Sequence, residues 1–400
     1  MISDDLTLKS NVQHDESAMA RVLGIDPGTK SFDICGLEDG DVYFERVVDT
    51  PRLVDGPEPM MQAIKEAGPL DLITGPSGYG VEVTYLRNIS NPGEFMRAIL
   101  LLLRKDDYEA SLARRDLGIM VYAAMIKLEI EMKKNRLPVC YVPGVIQLPT
   151  VPAYRKVNKI DMGTVDKACA AVLGIQDQAD RLEIPYSETS FILIESGFGY
   201  NAVMGVEKGR IVDGIGGTTG GPGFLTIGAV DAELAAIVGR WEKSDIFTGG
   251  GISVSGKNSL EEIGDHRNEK SSNMAWEAII EGVEKSVASI TVSVPKPREI
   301  LLSGRWARTA KLKADLLNRL SRYGQVRSVG WLRGVTSVKE AAQGYAMVAD
   351  GLVGGKYGKL IDWMKFREAR GTALDYIHHP KGKRLLEDLA PWYKSDKNPT

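Results

Sequence analysis

One regularity of spacing constrains this chain more than its composition does. Asp26 and Glu195, Gly28 and Gly197, Gly36 and Gly205, Glu38 and Glu207, and Gly40 and Gly209 all stand 169 positions apart. Each set falls in the same local pattern. An apolar run (22–25 or 191–194) leads to an acid and a glycine turn. A second run follows (32–37 or 202–206), and a tight turn, Glu38-Asp39-Gly40-Asp41 or Glu207-Lys208-Gly209, opens a third. Asp-Gly and Lys-Gly between alternating apolar residues are hairpin chemistry, so each unit predicts a three-stranded meander. A meander repeated in register predicts two similar α/β domains facing a shared cleft. The expected boundaries are a flexible extension at 1–20, a first domain at 21–185, a second at 186–360 and a charged helical tail at 361–400.

Between the repeats, a strand is expected to end at Gly75-Pro76-Ser77-Gly78-Tyr79-Gly80, and Ile119, Tyr122, Met125, Ile126 and Glu129 predict one long helix over 107–135. Another strand is expected at 139–142, then a helix N-capped by Thr164. After the second unit the pattern predicts helices near 230–238 and 274–289, a strand at 299–302 and a helix over 339–353. At 400 residues the chain is long enough for both domains. Its 50 Lys plus Arg against 53 Asp plus Glu leave a net charge of −3, without the positive field that gathers nucleic acid or an anionic membrane. Cys35, Cys140 and Cys169 lack metal or redox spacing and read as packing groups of a reducing, cytoplasmic protein. The apolar run at 99–103 stops at Arg104-Lys105, far short of the ~20 residues that span a bilayer. Residues 1–18 are polar, unlike a secretory signal, and are expected to be disordered.

Each unit ends its first strand in an acid followed by small residues: Asp26-Pro27-Gly28-Thr29-Lys30 and Glu195-Ser196-Gly197-Phe198-Gly199. Two carboxylates at one cleft suit a magnesium ion, held directly or through water, and the glycines let backbone N–H groups approach phosphate oxygens. Taken singly, either motif is equally a solvated turn; the matched pair makes two loops gripping one triphosphate the better reading. For an acceptor, Ser77 and Tyr79 are candidates at a strand end, a packed Pro/Gly turn being the alternative. Arg155 and Lys159 supply cations just before Asp161, which could act as base or orient an acceptor; a solvated loop is the plain alternative.

Residues 22–42, 191–217 and 300–305 resemble the two phosphate motifs and the adenosine motif of the acetate and sugar kinase, Hsp70 and actin superfamily. Residues 195–223 followed by Asp231 are similar to the second phosphate hairpin and acyl-site loop of acetate and butyrate kinases. Residues 335–359 resemble the closing helix of butyrate kinases, and the chain as a whole resembles an uncharacterised archaeal family of predicted butyrate kinases. The resemblance implies two ribonuclease-H-like domains with a nucleotide cleft and an ATP- and Mg2+-dependent phosphotransferase. It implies a short-chain carboxylate or other small-molecule acceptor, and a homodimer as one possible assembly. Asp26, Gly28, Thr29, Lys30, Gly197, Gly199, Gly216, Gly217, Ser303, Gly304 and Arg305 would then meet the nucleotide, Asp26 and Glu195 the metal, and Asp161 and Glu195 the chemistry. Two departures stand out: Glu195 replaces the histidine of acetate and butyrate kinases, and Arg305, able to stack on adenine or obstruct it, replaces a second glycine.

Two other readings come from the same residues. A nucleotide-driven conformational module acting on a protein partner is consistent with both departures. Residues 24–29 also resemble the opening of Holliday-junction resolvases, metal-dependent nucleases of the same fold, against which charge and the adenosine-like motif count. The stretch 197–202 spells a dinucleotide motif but should lead into a strand, not a helix. The near P-loop at 251–258 has Asn258 where Ser or Thr is required.

Overall fold

The duplication extends from spacing to hydrogen bonding. In a computed structural model describing residues 20–382, the first sheet contains β1 (Arg21–Pro27), β2 (Ser31–Glu38), β3 (Asp41–Asp49), β4 (Leu72–Thr74), β5 (Thr84–Tyr85) and β6 (Val139–Tyr141). The second contains β7 (Ser190–Ser196), β8 (Asn201–Glu207), β9 (Arg210–Ile215), β10 (Glu299–Ser303) and β11 (Gln325–Ser328). Their orders are β3-β2-β1-β4-β6-β5 and β11-β10-β7-β8-β9. In each, an antiparallel meander passes into parallel strands beside its first strand.

Arg21 pairs with Glu38 in β1–β2, and Ser190 with Glu207 in β7–β8, the same register 169 positions on. The bulge between Gly36 and Leu37 recurs between Gly205 and Val206. A Cβ on Gly36 would stand 2.9 Å from Phe44, and one on Gly205 2.9 Å from Ile290 and Val294, so both bulges need a residue without a side chain. Asp39-Gly40 and Lys208-Gly209 all have positive φ, the type I′ geometry that matches strand twist.

The helices that bear on the site include α1 (Lys105–Arg114), α2 (Leu117–Lys134), α3 (Val165–Leu182), α4 (Ala232–Val238), α5 (Lys270–Ile290), α6 (Ala310–Leu320), α7 (Glu340–Leu352) and α8 (Gly358–Trp363). The single helix expected over 107–135 is two. Arg115 takes a left-handed conformation, φ 59°, that ends α1, and α2 restarts after Asp116. No glycine marks that break, which is why periodicity ran through it. Thr164 precedes α3 as expected, but its hydroxyl donates to Asp166 instead of accepting a helix N–H.

The two central helices are exchanged between the halves. α3 follows the first sheet yet lies on the second. Gln178 accepts from Ser190 N–H at 2.7 Å and donates to Glu299 at 2.8 Å, and Asp177 receives Arg327 at 2.6 Å. α7 follows the second sheet yet lies on the first, where the Thr74 hydroxyl donates to the Tyr345 carbonyl at 2.7 Å. A Cβ on Gly24 would overlap the α7 backbone at Ala346, and one on Gly344 the Cys169 carbonyl, so small residues set how closely these elements approach. Ala168–Ile175 of α3 and Ala342–Leu352 of α7 form one continuous core with both sheets, and outer helices cover each sheet's far face.

Cys35, Cys140 and Cys169 are all buried, and desolvation holds their thiols protonated. Within the expected charged tail, Phe366, Ala369, Ala373 and Leu374 are buried, while 378–381 are exposed. The expectations for residues 1–18 and 383–400 lie outside the described residues. No helix among the described residues is long and apolar enough to cross a membrane.

Candidate functional site

The hairpin turns after β1 and β7 face one cavity of about 1240 Å³, open solvent at its mouth included. The turns are closed alike: Gly28 N–H donates to the Ser31 carbonyl at 3.0 Å and Gly197 N–H to the Tyr200 carbonyl at 2.9 Å. A Cβ on Gly28 would stand 2.6 Å from Lys339 Nζ, which leaves no room for a side chain there. Gly304, at φ 92°, ends β10 against the second turn, where a Cβ would meet Glu195 Oε1 at 2.5 Å. The Lys30 ammonium lies 4.4 Å over the Phe198 ring, so the hairpins touch across the cleft.

Each hairpin acid meets a lysine carried by the exchanged helix. Lys339, just before α7, lies 2.7 Å from Asp26 and 3.4 Å from Asp33. Lys167, in the first turn of α3, lies 3.4 Å from Glu195 and pairs with Asp166. Burial works against the lysine charges, but their carboxylates outweigh it and hold both ammoniums charged. Burial pushes Asp26 up to about 6, against the pull of Lys339, and Glu195 up to about 7, against the pull of Lys167. Desolvation opposes the Asp166 charge too, yet Lys167 and the Thr164 hydroxyl keep that group below the usual range. Glu195 Oε2 is buried without a hydrogen bond. No three acidic, imidazole or thiol side chains among the described residues converge to hold a metal by themselves.

Of the residues singled out from sequence, Asp26, Gly28, Thr29, Lys30, Tyr79, Asp161, Glu195, Gly197, Gly199, Gly217, Ser303, Gly304 and Arg305 line this cavity. Asp161 accepts from Gly163 N–H at 3.0 Å and from Thr218 N–H and hydroxyl, both at 3.1 Å, so it clamps the second glycine loop as well as facing the cavity. Gly216 stands behind it, where a Cβ would overlap that carboxylate. Three others are turned to different tasks. The Ser77 hydroxyl donates to the Gly75 carbonyl and accepts from Val142 N–H inside the core. Arg155 donates to the Val212 carbonyl at 2.7 Å, beside Asp213. Lys159 sits in a turn, its N–H on the Lys156 carbonyl, and does not line the cavity.

Sequence reading missed Lys167, Lys339 and Asp166, and a wall made by Leu101, Val121, Tyr122, Met125 and Phe247. The only local signal for the lysines is that each opens the helix closing its half. The wall has none, because its members come from distant stretches.

The architecture is that of acetate and propionate kinases. The acetate kinase of Porphyromonas gingivalis is 13% identical, with 84% of this chain and 100% of that one covered and a TM-score of 0.55. A propionate kinase from Francisella tularensis subsp. tularensis is 12% identical over 82% of this chain and 98% of that one, with a TM-score of 0.54. For the acetate kinase of Entamoeba histolytica the values are 12%, 76%, 87% and 0.52. At such identities the likeness is one of fold. The chain itself belongs to the family described as "Protein of unknown function (DUF1464)", which matches residues 24–379. No curated protein matches it.

Proposed function

We propose that this chain is an ATP-dependent phosphotransferase acting on a small acceptor, most simply a carboxylate as in the butyrate-kinase branch its motifs resemble. The observation that carries the reading is the matched pair of glycine turns across one cavity, each with an acid at its base and a lysine supplied by the opposite half. In this reading the triphosphate lies between residues 28–30 and 197–199, with backbone N–H groups turned to its oxygens. The adenosine passes Gly304 towards a side pocket walled by Ala307, Val329 and Trp331. There the Arg308 guanidinium lies over the Trp331 ring, and both side chains donate to Glu340, which gives the pocket a rigid flank.

Phosphoryl transfer needs positioning and charge stabilisation more than covalent help. Lys30 on its exposed turn, and Lys167 and Lys339 at the helix starts, supply positive charge near the phosphates. Magnesium fits Asp26 and Glu195, because that ion takes one or two carboxylates and completes its shell with water and phosphate. Glu195 has an oxygen without a hydrogen bond, and both acids are reluctant to ionise beside lysine alone. When bound, the ion would neutralise phosphate charge. Asp161 orients the acceptor from beside the 216–219 loop that it clamps.

Calorimetry with Mg·ATP, followed by ADP release with and without short carboxylates, tests this. Binding and acceptor-dependent release are expected; absence of nucleotide binding would overturn the reading. One observation favours the conformational-module alternative: no histidine lines the cavity, and Glu195 takes the place where related kinases carry one. Slow ADP release indifferent to every acceptor would select it.

A further inference from the structure

The missed wall is larger and more apolar than either a triphosphate or acetate requires. Leu101, Val121 and Met125 line it with three rings: Phe247 lies 5.9 Å from Tyr122 and 5.6 Å from Tyr200, edge-on to both. Phe247 comes from the second half and packs on Gly118 of α2, where a Cβ would overlap its ring. The wall is therefore closed by a contact across the cleft. A polyanion gains nothing from such a surface, while an apolar body gains from every methylene it buries there.

Beside the rings lies a cation without an anion. Lys243 does not itself line the cavity but donates to the hydroxyl of Tyr79, which does, at 3.2 Å, with its ammonium 4.5 Å over the Tyr79 ring and 5.9 Å from that of Tyr122. Among the described residues it forms no ion pair, unlike Lys167 and Lys339. Desolvation pulls its pKa down to about 8, against the Asp161 charge, as expected of an ammonium lacking a partner. A partly buried charge of this kind is stabilised by an anion brought to it.

Resting on the phosphotransferase reading, we propose that the acceptor is a monocarboxylate with a bulky apolar body, aromatic or branched. Its carboxylate lies within reach of Lys243, and its body packs against Val121, Tyr122, Met125 and Phe247. Lys243 is then a specificity residue and Phe247 the closing face of the pocket.

The test uses the whole protein saturated with Mg2+ and a non-hydrolysable ATP analogue, titrated by calorimetry with acetate, butyrate, isovalerate, phenylacetate and the neutral analogue phenylethanol. Affinity should climb from acetate upwards by roughly fourfold per buried methylene. Phenylacetate should bind about tenfold or more tighter than phenylethanol, the scale of a charge-assisted hydrogen bond. Lys243→Met should abolish that preference for the acid while nucleotide affinity and melting temperature hold, and Lys243→Arg should restore it. Phe247→Ala should weaken phenylacetate far more than acetate. Acetate binding as tightly as phenylacetate, displacement of the nucleotide analogue by phenylacetate, or a folded Lys243→Met with wild-type preference would overturn the proposal. Nucleotide binding without any acid binding also overturns it alone, whereas no nucleotide binding removes the phosphotransferase reading beneath it. Acid binding with no acid-dependent ADP release when ATP replaces the analogue removes that reading and leaves the pocket standing.

Discussion

At the cleft, individual charges are arranged in a way that predicts how the protein responds to substitution and pH. Lys339 serves Asp26 and Asp33 together, all three largely out of water. Lys339→Met leaves two carboxylates facing each other, and breaking a buried pair from one side is expected to cost about 3 kcal/mol in urea unfolding. An unchanged midpoint would show that the contact is dispensable. Glu195 has its folded pKa raised to about 7, above the usual carboxylate value, so its favourable contribution is full below about 4.5 and is lost as pH rises through 7. The ligand-free protein should therefore lose melting temperature between pH 5 and 8, and Glu195→Gln should flatten that slope. If Mg·ATP binds, it should raise the melting temperature more at pH 8 than at pH 5.5, because it meets ionised carboxylates; an equal rise at both would argue against cation contact with Asp26 and Glu195.

At the level of elements, what could be read in the sequence was what local chemistry dictates. Asp39-Gly40 and Lys208-Gly209 announce their turns, and one shared offset makes both meanders visible at once, whereas the bulges at Gly36 and Gly205 came to light only in the pairing. What escaped has tertiary causes. Arg115 breaks a helix without glycine or proline, and Lys167 and Lys339 resemble ordinary charged residues at helix starts. Tyr122 and Phe247, 125 positions apart in sequence, meet only because the cleft closes. Ser77, Arg155 and Lys159 suit a cleft by type, yet two of them serve backbone carbonyls and none lines the cavity. The crossing of α3 and α7 yields its own prediction. Gly344→Ala drives a methyl group into the Cys169 carbonyl and should cost about 1–3 kcal/mol, as overpacking does, although alanine is the better helix former. A stabilised Gly344→Ala would mean that the helices can part there freely.

Across the whole molecule, the two halves meet at the cleft mouth through contacts of a different kind from those at its floor. Arg240 reaches the buried Asp107 carboxylate at 2.8 Å, and Arg114 pairs with Glu242 nearer the solvent, both across the cleft. The exposed pair of Arg114 with Glu242 does little for stability. An Arg114→Ala protein should melt as the wild type does, yet show faster amide exchange in α1 and faster nucleotide dissociation. Unaltered exchange would show that the mouth does not open there. The exchanged central helices carry a different consequence. Each half hands one helix, and with it one lysine, to the sheet of the other, which is the connectivity of a swapped dimer joined into one polypeptide. Cut between residues 183 and 189, neither fragment should fold alone, since each keeps a sheet and has lost the helix that covers it. Expressed together, the two should reassemble, and each would supply the lysine that meets the other's hairpin acid.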